Sequence, residues 1–242
     1  MRSAVRLVLL LLLSLVCLQL WFAARIALMN VLAPQSTAFQ RSEMLRLAVE
    51  KRQLVWSQDW VGAAELSRNL KRAVIASEDA DFVEHGGVEW DAIEKAWDKN
   101  QAAQARALKM AARTANPVQA KIVGGSTISQ QLAKNLFLSG ERSLPRKGQE
   151  LVITLMLEAL LSKERILDIY LNNVEWGEGV FGAQAAARHY FRVDAKALSP
   201  NQAARLAVML PAPKRFEKRP ASSYVVGRAG TIEARMPAVE LP

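Results

Sequence analysis

From Leu7 to Ala24 the chain carries no charged residue and is dominated by leucine. As a helix such a run is about 27 Å long, just enough to cross a hydrocarbon layer. A cleaved secretory signal is the rival reading. The run is longer than the usual apolar core of a signal, and no small-x-small site closes it, so an uncleaved anchor is expected. Arg2, Arg6 and the terminal amine precede the run against Arg25 after it, which places the short amino end in the cytoplasm and exports the rest. The expected layout is a tail at 1–6, a transmembrane anchor at 7–24, a juxtamembrane connection at 25–42 interrupted by Pro34, and one domain at 43–242.

Helical periodicity recurs through that domain and period-2 alternation is nearly absent, so the fold is expected to be mainly α with few, short strands. The pattern predicts helices near 43–53, 63–79 and 88–113, then from Thr127, after Pro145, and over 163–172, 183–190 and 201–210. Little in Gln101 to Arg106 offers an anchor, and a mobile flap is expected there. Leu151 to Leu161 is apolar on nearly every side, which predicts a helix buried at the centre of the domain. The terminal helix, near 224–236, is weakened by Gly227 and Gly230.

The net charge is +9, of which Arg2, Arg6 and Arg25 supply three. A basic exported domain beside a bilayer favours anionic head groups or phosphorylated lipid substrates, and its topology argues against nucleic acid. A solvated basic surface is the plainer alternative. The one cysteine, Cys17, lies inside the apolar run, which excludes a disulfide within the domain and a cysteine metal site. Two histidines without an HExxH pattern give no support for zinc, and His189 is expected to be structural.

Three clusters carry candidate chemistry. Gly124-Gly125 runs into a helix on which Thr127, Gln131 and Lys134 share one face. Backbone N–H groups at such a start, with Lys134 two turns on, suit a phosphate or pyrophosphate; a capping box between Thr127 and Gln130 is the competing reading. Glu78 projects between Val74 and Ile75, where desolvation raises a carboxyl pKa and makes a usable base. Asp79 beside it is expected to stay ionised in a more polar setting, with His85 in reach of either acid. Glu150 starts the apolar helix with Arg146 and Lys147 close by, and an ion pair to Arg146 alone could explain it. Lys134, Arg142, Arg146 and Lys147 form a set able to hold a pyrophosphate from several directions.

These pieces, in this order, resemble the family 51 glycosyltransferases that polymerise lipid II. Glu78-Asp79-x-x-Phe82-x-x-His85-x-Gly87 is similar to the family's first motif, Gly124 to Asn135 to its second, and Arg146-Lys147-x-x-Glu150 with Leu157-Glu158 to its third. Lys163 to Gly182 and Ala203 to Pro211 are similar to the fourth and fifth. Thr154 stands where the family has alanine, and Trp176 where phenylalanine is frequent. Glu175-Trp176-Gly177 is similar to the monofunctional enzymes, and with the chain ending at Pro242 no transpeptidase is expected.

The resemblance implies a lysozyme-like, two-lobed helical domain in the bacterial inner membrane, its catalytic part periplasmic. It implies inverting transfer of the growing glycan to the 4-hydroxyl of another lipid II, with release of undecaprenyl diphosphate. Glu78 would be the base, and Lys134, Arg142 and Arg146 would stabilise the departing diphosphate. Glu150 would orient these cations or hold a divalent ion, Mg or Mn; no organic cofactor is expected. Asp79, Phe82, His85, Thr127, Gln131, Asn135 and Lys147 would shape or line the cleft. Lipid II, the nascent strand, the membrane and proteins of the divisome or of wall synthesis are the expected partners. The competing functions are a lytic muramidase-like hydrolase and a non-catalytic divisome binding protein.

Overall fold

The computed structural model describes residues 2–52, 54–114, 125–141 and 143–242. Gly124, Arg142 and the stretch toward Pro117 therefore lie outside the described residues. Among the described residues the fold is mainly α with three short strands, as expected.

The apolar run forms α1 (Arg2–Leu28), which is long and apolar enough to cross a membrane. It extends past the expected end at 24 because its last turns are part of the globular core. Phe22, Ile26 and Met29 are buried among core residues, and Gln19 and Gln149 exchange amide hydrogen bonds of 3.0 Å. Arg165 Nε donates to Met29 O at 2.6 Å. The boundary is thus set by packing, which the hydropathy of the run does not register.

Helix α2 (Ala38–Arg46) begins inside the stretch expected to be a connection. Thr37 accepts from Gln40 N–H while Gln40 returns to Thr37 N–H, a capping box that starts the helix early. Helix α3 (Arg68–Glu78) starts at its Ser67 cap instead of at residue 63. Then come α4 (Trp90–Thr114), α5 (Ile128–Phe137), α6 (Leu144–Leu160) and α7 (Lys163–Asn173). Gln101 to Arg106, expected as a flap, is helical within α4 and mostly exposed. After α7, strand β2 (Glu175–Gly177) pairs antiparallel with β3 (Val180–Phe181), and β1 (Ser57–Gln58) pairs parallel with β3 on its other side.

The remaining helices are α8 (Ala183–Phe191), α9 (Pro200–Met209), α10 (Pro213–Phe216) and α11 (Ser223–Arg235). Helices α3, α9 and α11 pack on one another; α5 packs on α6, α2 and α7; and α1 lies along α6. Helix α11 survives its glycines because Gly227 and Gly230 face open space, while Val225, Ala229 and Ile232 are buried.

The central buried helix is α7, not the expected α6. Every residue from Ile166 to Asn173 is buried, whereas Val152, Leu155 and Leu160 on α6 are exposed. Asn172 and Asn173 hide inside α7 because their amides are hydrogen-bonded, and Asp168 because a cation faces it. Lys71 pairs with Asp168 at 3.3 Å. Asn172 binds both backbone groups of Val61, and Asn173 donates to Ile169 O. A satisfied amide can be buried at little cost, which hydropathy alone cannot signal.

Candidate active site

Glu78 is the last residue of α3, where Val74 and Ile75 of the preceding turn are fully buried. Its carboxylate is half-buried and accepts from Gln131 Nε2 on α5 at 3.1 Å, with Ser77 Oγ at 3.4 Å from the other oxygen. Burial pushes its pKa up; the bonds from Gln131 and Ser77 pull it down, and the charge of Asp79 adds to the rise, which wins. Gln131 is itself fixed by Tyr170 of α7, whose hydroxyl donates to Gln131 Oε1 at 2.9 Å. Tyr170 is fully buried, and that burial, with the nearby charges of Glu78 and Asp79, raises its pKa well above the usual phenol value. It therefore stays a proton donor, and the amide N–H of Gln131 is turned toward Glu78.

The start of α5 is not an open anion site. Ile128 N–H donates to Asp79 Oδ2 at 2.9 Å, Gln130 N–H to Thr127 Oγ1 at 3.1 Å, and Thr127 N–H to Gln130 Oε1 at 3.2 Å. The capping-box reading holds, and an acid 49 positions earlier in the chain fills the place suggested for a phosphate. Asp79 is accordingly buried among donors. Its second oxygen accepts from His85 Nε2 at 2.8 Å.

Gly87 N–H donates to His85 Nδ1 at 3.0 Å, a bond that requires this nitrogen to be bare. The bond to Asp79 nevertheless draws the imidazole pKa up, against burial. Thr127 Oγ1 donates to Gly87 O at 2.7 Å, tying the loop to α5. Gly87 sits at φ 88°, and a Cβ there would meet Glu158 Cγ at 2.7 Å and Thr154 Cγ2 at 2.9 Å. Only glycine satisfies both demands. Phe82, expected to shape or line the cleft, is fully buried, with Lys163 Nζ 4.6 Å above its ring. Lys163 also donates to His85 O at 2.6 Å and to Glu158 at 2.9 Å, and Glu158 accepts from Ser129 of α5. Asp79, His85, Thr127 and Phe82 thus form the frame that holds Glu78.

Lys134 follows Gln131 by three residues on α5, on the same face and about one turn toward the carboxyl end. Lys134 and Arg146 line one pocket of about 220 Å³ together with Phe39, Leu138, Ser139, Gly140 and Glu141. One face of α5 therefore carries both Gln131, the partner of Glu78 from α3, and Lys134, which shares its pocket with Arg146 of α6. Asn135 is half-exposed beside Lys134. Glu150, buried at 3% exposure, takes Arg146 Nη1 at 2.6 Å on one oxygen and Lys147 Nζ on the other. Glu150 thus holds the charged ends of Arg146 and Lys147 together. Its donor set does not fit a metal: both oxygens already face cations, and among the described residues no group of three or more Asp, Glu, His or Cys side chains could hold an ion.

A family model for the transglycosylase domain matches residues 46–237. The chain belongs to the transglycosylase family. The biosynthetic peptidoglycan transglycosylase of Paraburkholderia phytofirmans is 52% identical over 225 residues, covering 93% of this chain and 87% of the relative. The protein of the same name in Burkholderia pseudomallei is 53% identical over 225 residues, with 93% and 82% covered. That of Bordetella pertussis is 49% identical over 224 residues, with 93% and 88% covered. The lysozyme-like helical fold and the glycosyltransferase class expected from the motifs are those of this transglycosylase family.

Every candidate site residue falls within the matched range, whereas α1 and most of α2 precede it. Sequence reasoning gave no role to Tyr170, Ser129 or Lys163, although the motifs contain them; their partners are distant in the chain and only the fold brings them in. For Phe39, outside the transglycosylase match, the sequence offers no signal at all.

Proposed function

We propose that this protein polymerises lipid II into β-1,4-linked glycan strands, by a single inverting displacement that releases undecaprenyl diphosphate. Glu78 accepts the proton of the acceptor 4-hydroxyl as that oxygen bonds to the donor's anomeric carbon. The bond from that carbon to the diphosphate oxygen breaks, and its electron pair leaves with the diphosphate, whose charge Lys134 and Arg146 offset. Arg142 is assigned to the same cation set by its place in the motif. Glu150 and Lys147 hold Arg146 in place, and Gln131 and Tyr170 hold Glu78. A divalent ion at the diphosphate would be held by phosphate oxygens and not by Glu150, so no step is routed through it.

The observation that carries the reading is the reach of α5: Gln131 holds a carboxyl of raised pKa, and Lys134, one turn further on, lines a pocket with Arg146 of α6. The apolar helix α1 suits a single-pass anchor in the inner membrane, and the arginine distribution supports a domain on the periplasmic side. This topology brings the site to a substrate whose lipid tail stays in the bilayer.

Incubation of purified full-length protein with lipid II, and separately with finished glycan, tests the proposal. Polymer is expected from the first and no fragments from the second. Glu78→Gln should lower polymerisation by about 10²–10⁴-fold with folding intact; polymer formed at the normal rate would overturn the base assignment, and fragments from finished glycan would support a hydrolase.

A further inference from the structure

The pocket that holds Lys134 and Arg146 has a wall from outside the transglycosylase match. Phe39, on α2, lines it together with the cations, and Leu138 lines it from just past the end of α5. Helix α2 is clamped where it lies. Its capping box fixes its start, Gln40 Nε2 reaches Asn173 O at 3.3 Å, and Glu43 pairs with Lys214. Phe39 itself rests edge-on against Phe181, with ring centroids 6.3 Å apart. It is half-buried, so part of the ring stays available to the pocket.

The pocket also stands next to the anchor. Phe137, adjacent to Leu138, packs edge-on against Phe22 of α1 at 5.2 Å and against Trp21 at 6.4 Å. Arg25 lies 5.0 Å over Trp21 and 5.6 Å over Phe137. Leu138 of the pocket therefore follows directly on a residue packed against α1, so the pocket lies near the end of the anchor.

At about 220 Å³ the space is below the ~300–1,000 Å³ of pockets that enclose a drug-sized ligand. It suits a junction between two groups better than a whole disaccharide. Two cations in one pocket with an aromatic and a leucine match a molecule that turns from diphosphate to hydrocarbon within a few bonds. The one acid in the lining, Glu141, is exposed.

We propose that Phe39 contacts the first isoprene unit of the prenyl diphosphate, so that the helix following the anchor supplies a substrate-binding residue beside the Lys134 and Arg146 cations. The identity of the occupant rests on the transferase reading above. By this account α2 is part of the site, and the pocket recognises the charged head and the start of the tail together.

The test compares inorganic pyrophosphate with farnesyl diphosphate as ligands of the full-length protein in non-ionic detergent, read by calorimetry. Wild type should bind farnesyl diphosphate at least tenfold more tightly than pyrophosphate. Phe39→Ala should weaken farnesyl diphosphate by about five- to tenfold and leave pyrophosphate unchanged, while Phe39→Leu keeps most of the difference. Equal loss for both ligands, or loss for neither, would overturn the proposal. Because Phe39 also packs on Phe181, wild-type protein provides a second measurement. A farnesyl diphosphate bearing a diazirine on its first isoprene unit should label the peptide containing residues 38–46, and labelling confined to other peptides would overturn the assignment. These readouts report binding, so they stand apart from the polymerisation assay that decides the transferase reading.

Discussion

Helices α6 and α7 follow each other in the chain and reverse the usual relation between composition and burial. Helix α6 is rich in leucine yet leaves Leu155 at 51% exposure, while α7 carries Asp168, Asn172 and Asn173 and buries them all. The difference lies in what surrounds each helix. The inner face of α6, with Ile153, Thr154 and Leu157, packs on α5, and α1 lies alongside it. Its outer face, with Val152, Leu155 and Leu160, is exposed, which suits a helix running beside an anchor in lipid. Helix α7 is enclosed by α5, α6 and α8, and its polar atoms replace water with partners from the loop at Val61, from α2 and from α3. Burial here follows the supply of hydrogen-bond partners as much as hydrophobicity.

The sharpest way to break the comparison is to remove a buried amide of α7. Asn172 accepts from Val61 N–H at 2.9 Å and donates to Val61 O at 3.1 Å and to Asp168 O at 2.9 Å. Asn172→Ala should cost about 3 kcal/mol of stability, measured by thermal unfolding in detergent. Asn172→Leu should not recover the loss, because the backbone groups of Val61 would still lack partners. Recovery by leucine would mean that α7 needs apolar volume there and not hydrogen bonds.

A second buried polar group follows α7 directly. Glu175 lies beside Glu43, and the two share Lys214, which sits 2.5 Å from Glu43 and 3.5 Å from Glu175. Burial of Glu175 pushes its pKa up to about 7, with Lys214 opposing and Glu43 and Glu217 adding to the rise. For Glu43 burial also acts upward, but the hydrogen bonds from Arg46 and Lys214 outweigh it and hold the pKa low. A carboxyl that binds its proton more tightly folded than unfolded gives its full contribution below about 4.5, and loses it as pH climbs to about 7. Glu175→Gln should thus leave stability near pH 4.5 little changed and raise it by about 2 kcal/mol at pH 8 relative to wild type. A constant difference across that range would show that Glu175 is ionised throughout.

Tyr170 connects α7 to the chemistry. Tyr170→Phe removes the hydroxyl that orients Gln131 while keeping the ring in the core. Polymerisation from lipid II should fall by about tenfold, mostly in kcat, because the loss concerns the aim of Glu78 and not the hold on the diphosphate. The pH profile of kcat should shift as well, since Gln131 is among the groups that set the Glu78 pKa. An unchanged profile with a lower rate would reduce Tyr170 to packing.

What could be read from the chain follows the same division. The face of α5 that joins Gln131 to Lys134, the apolar setting of Glu78 and the ion pair of Glu150 with Arg146 are local, and spacing alone places them. The filled start of α5 was out of reach because its acceptor, Asp79, arrives from another helix. The early start of α2 was written in Thr37 and Gln40, three residues apart as a capping box requires, but Pro34 drew attention to a break instead. Burial of Asn172 and exposure of Leu155 both depend on neighbours distant in sequence, and periodicity reports only how apolar a face is.

The smallest effect is expected on the outer face of α6. Leu155 is half exposed and its neighbours Val152 and Leu160 are exposed with it, so a polar residue there meets solvent or detergent and not protein. Leu155→Gln should change stability in detergent by less than about 0.5 kcal/mol, in contrast to the large cost at Asn172. In lipid vesicles the same substitution places an amide against hydrocarbon wherever this face enters the bilayer, and it should then lower activity on vesicle-held lipid II relative to activity in detergent. A loss of stability in detergent comparable to that of Asn172→Ala would show that α6 is covered on both sides, and the contrast between the two helices would fail at its exposed member.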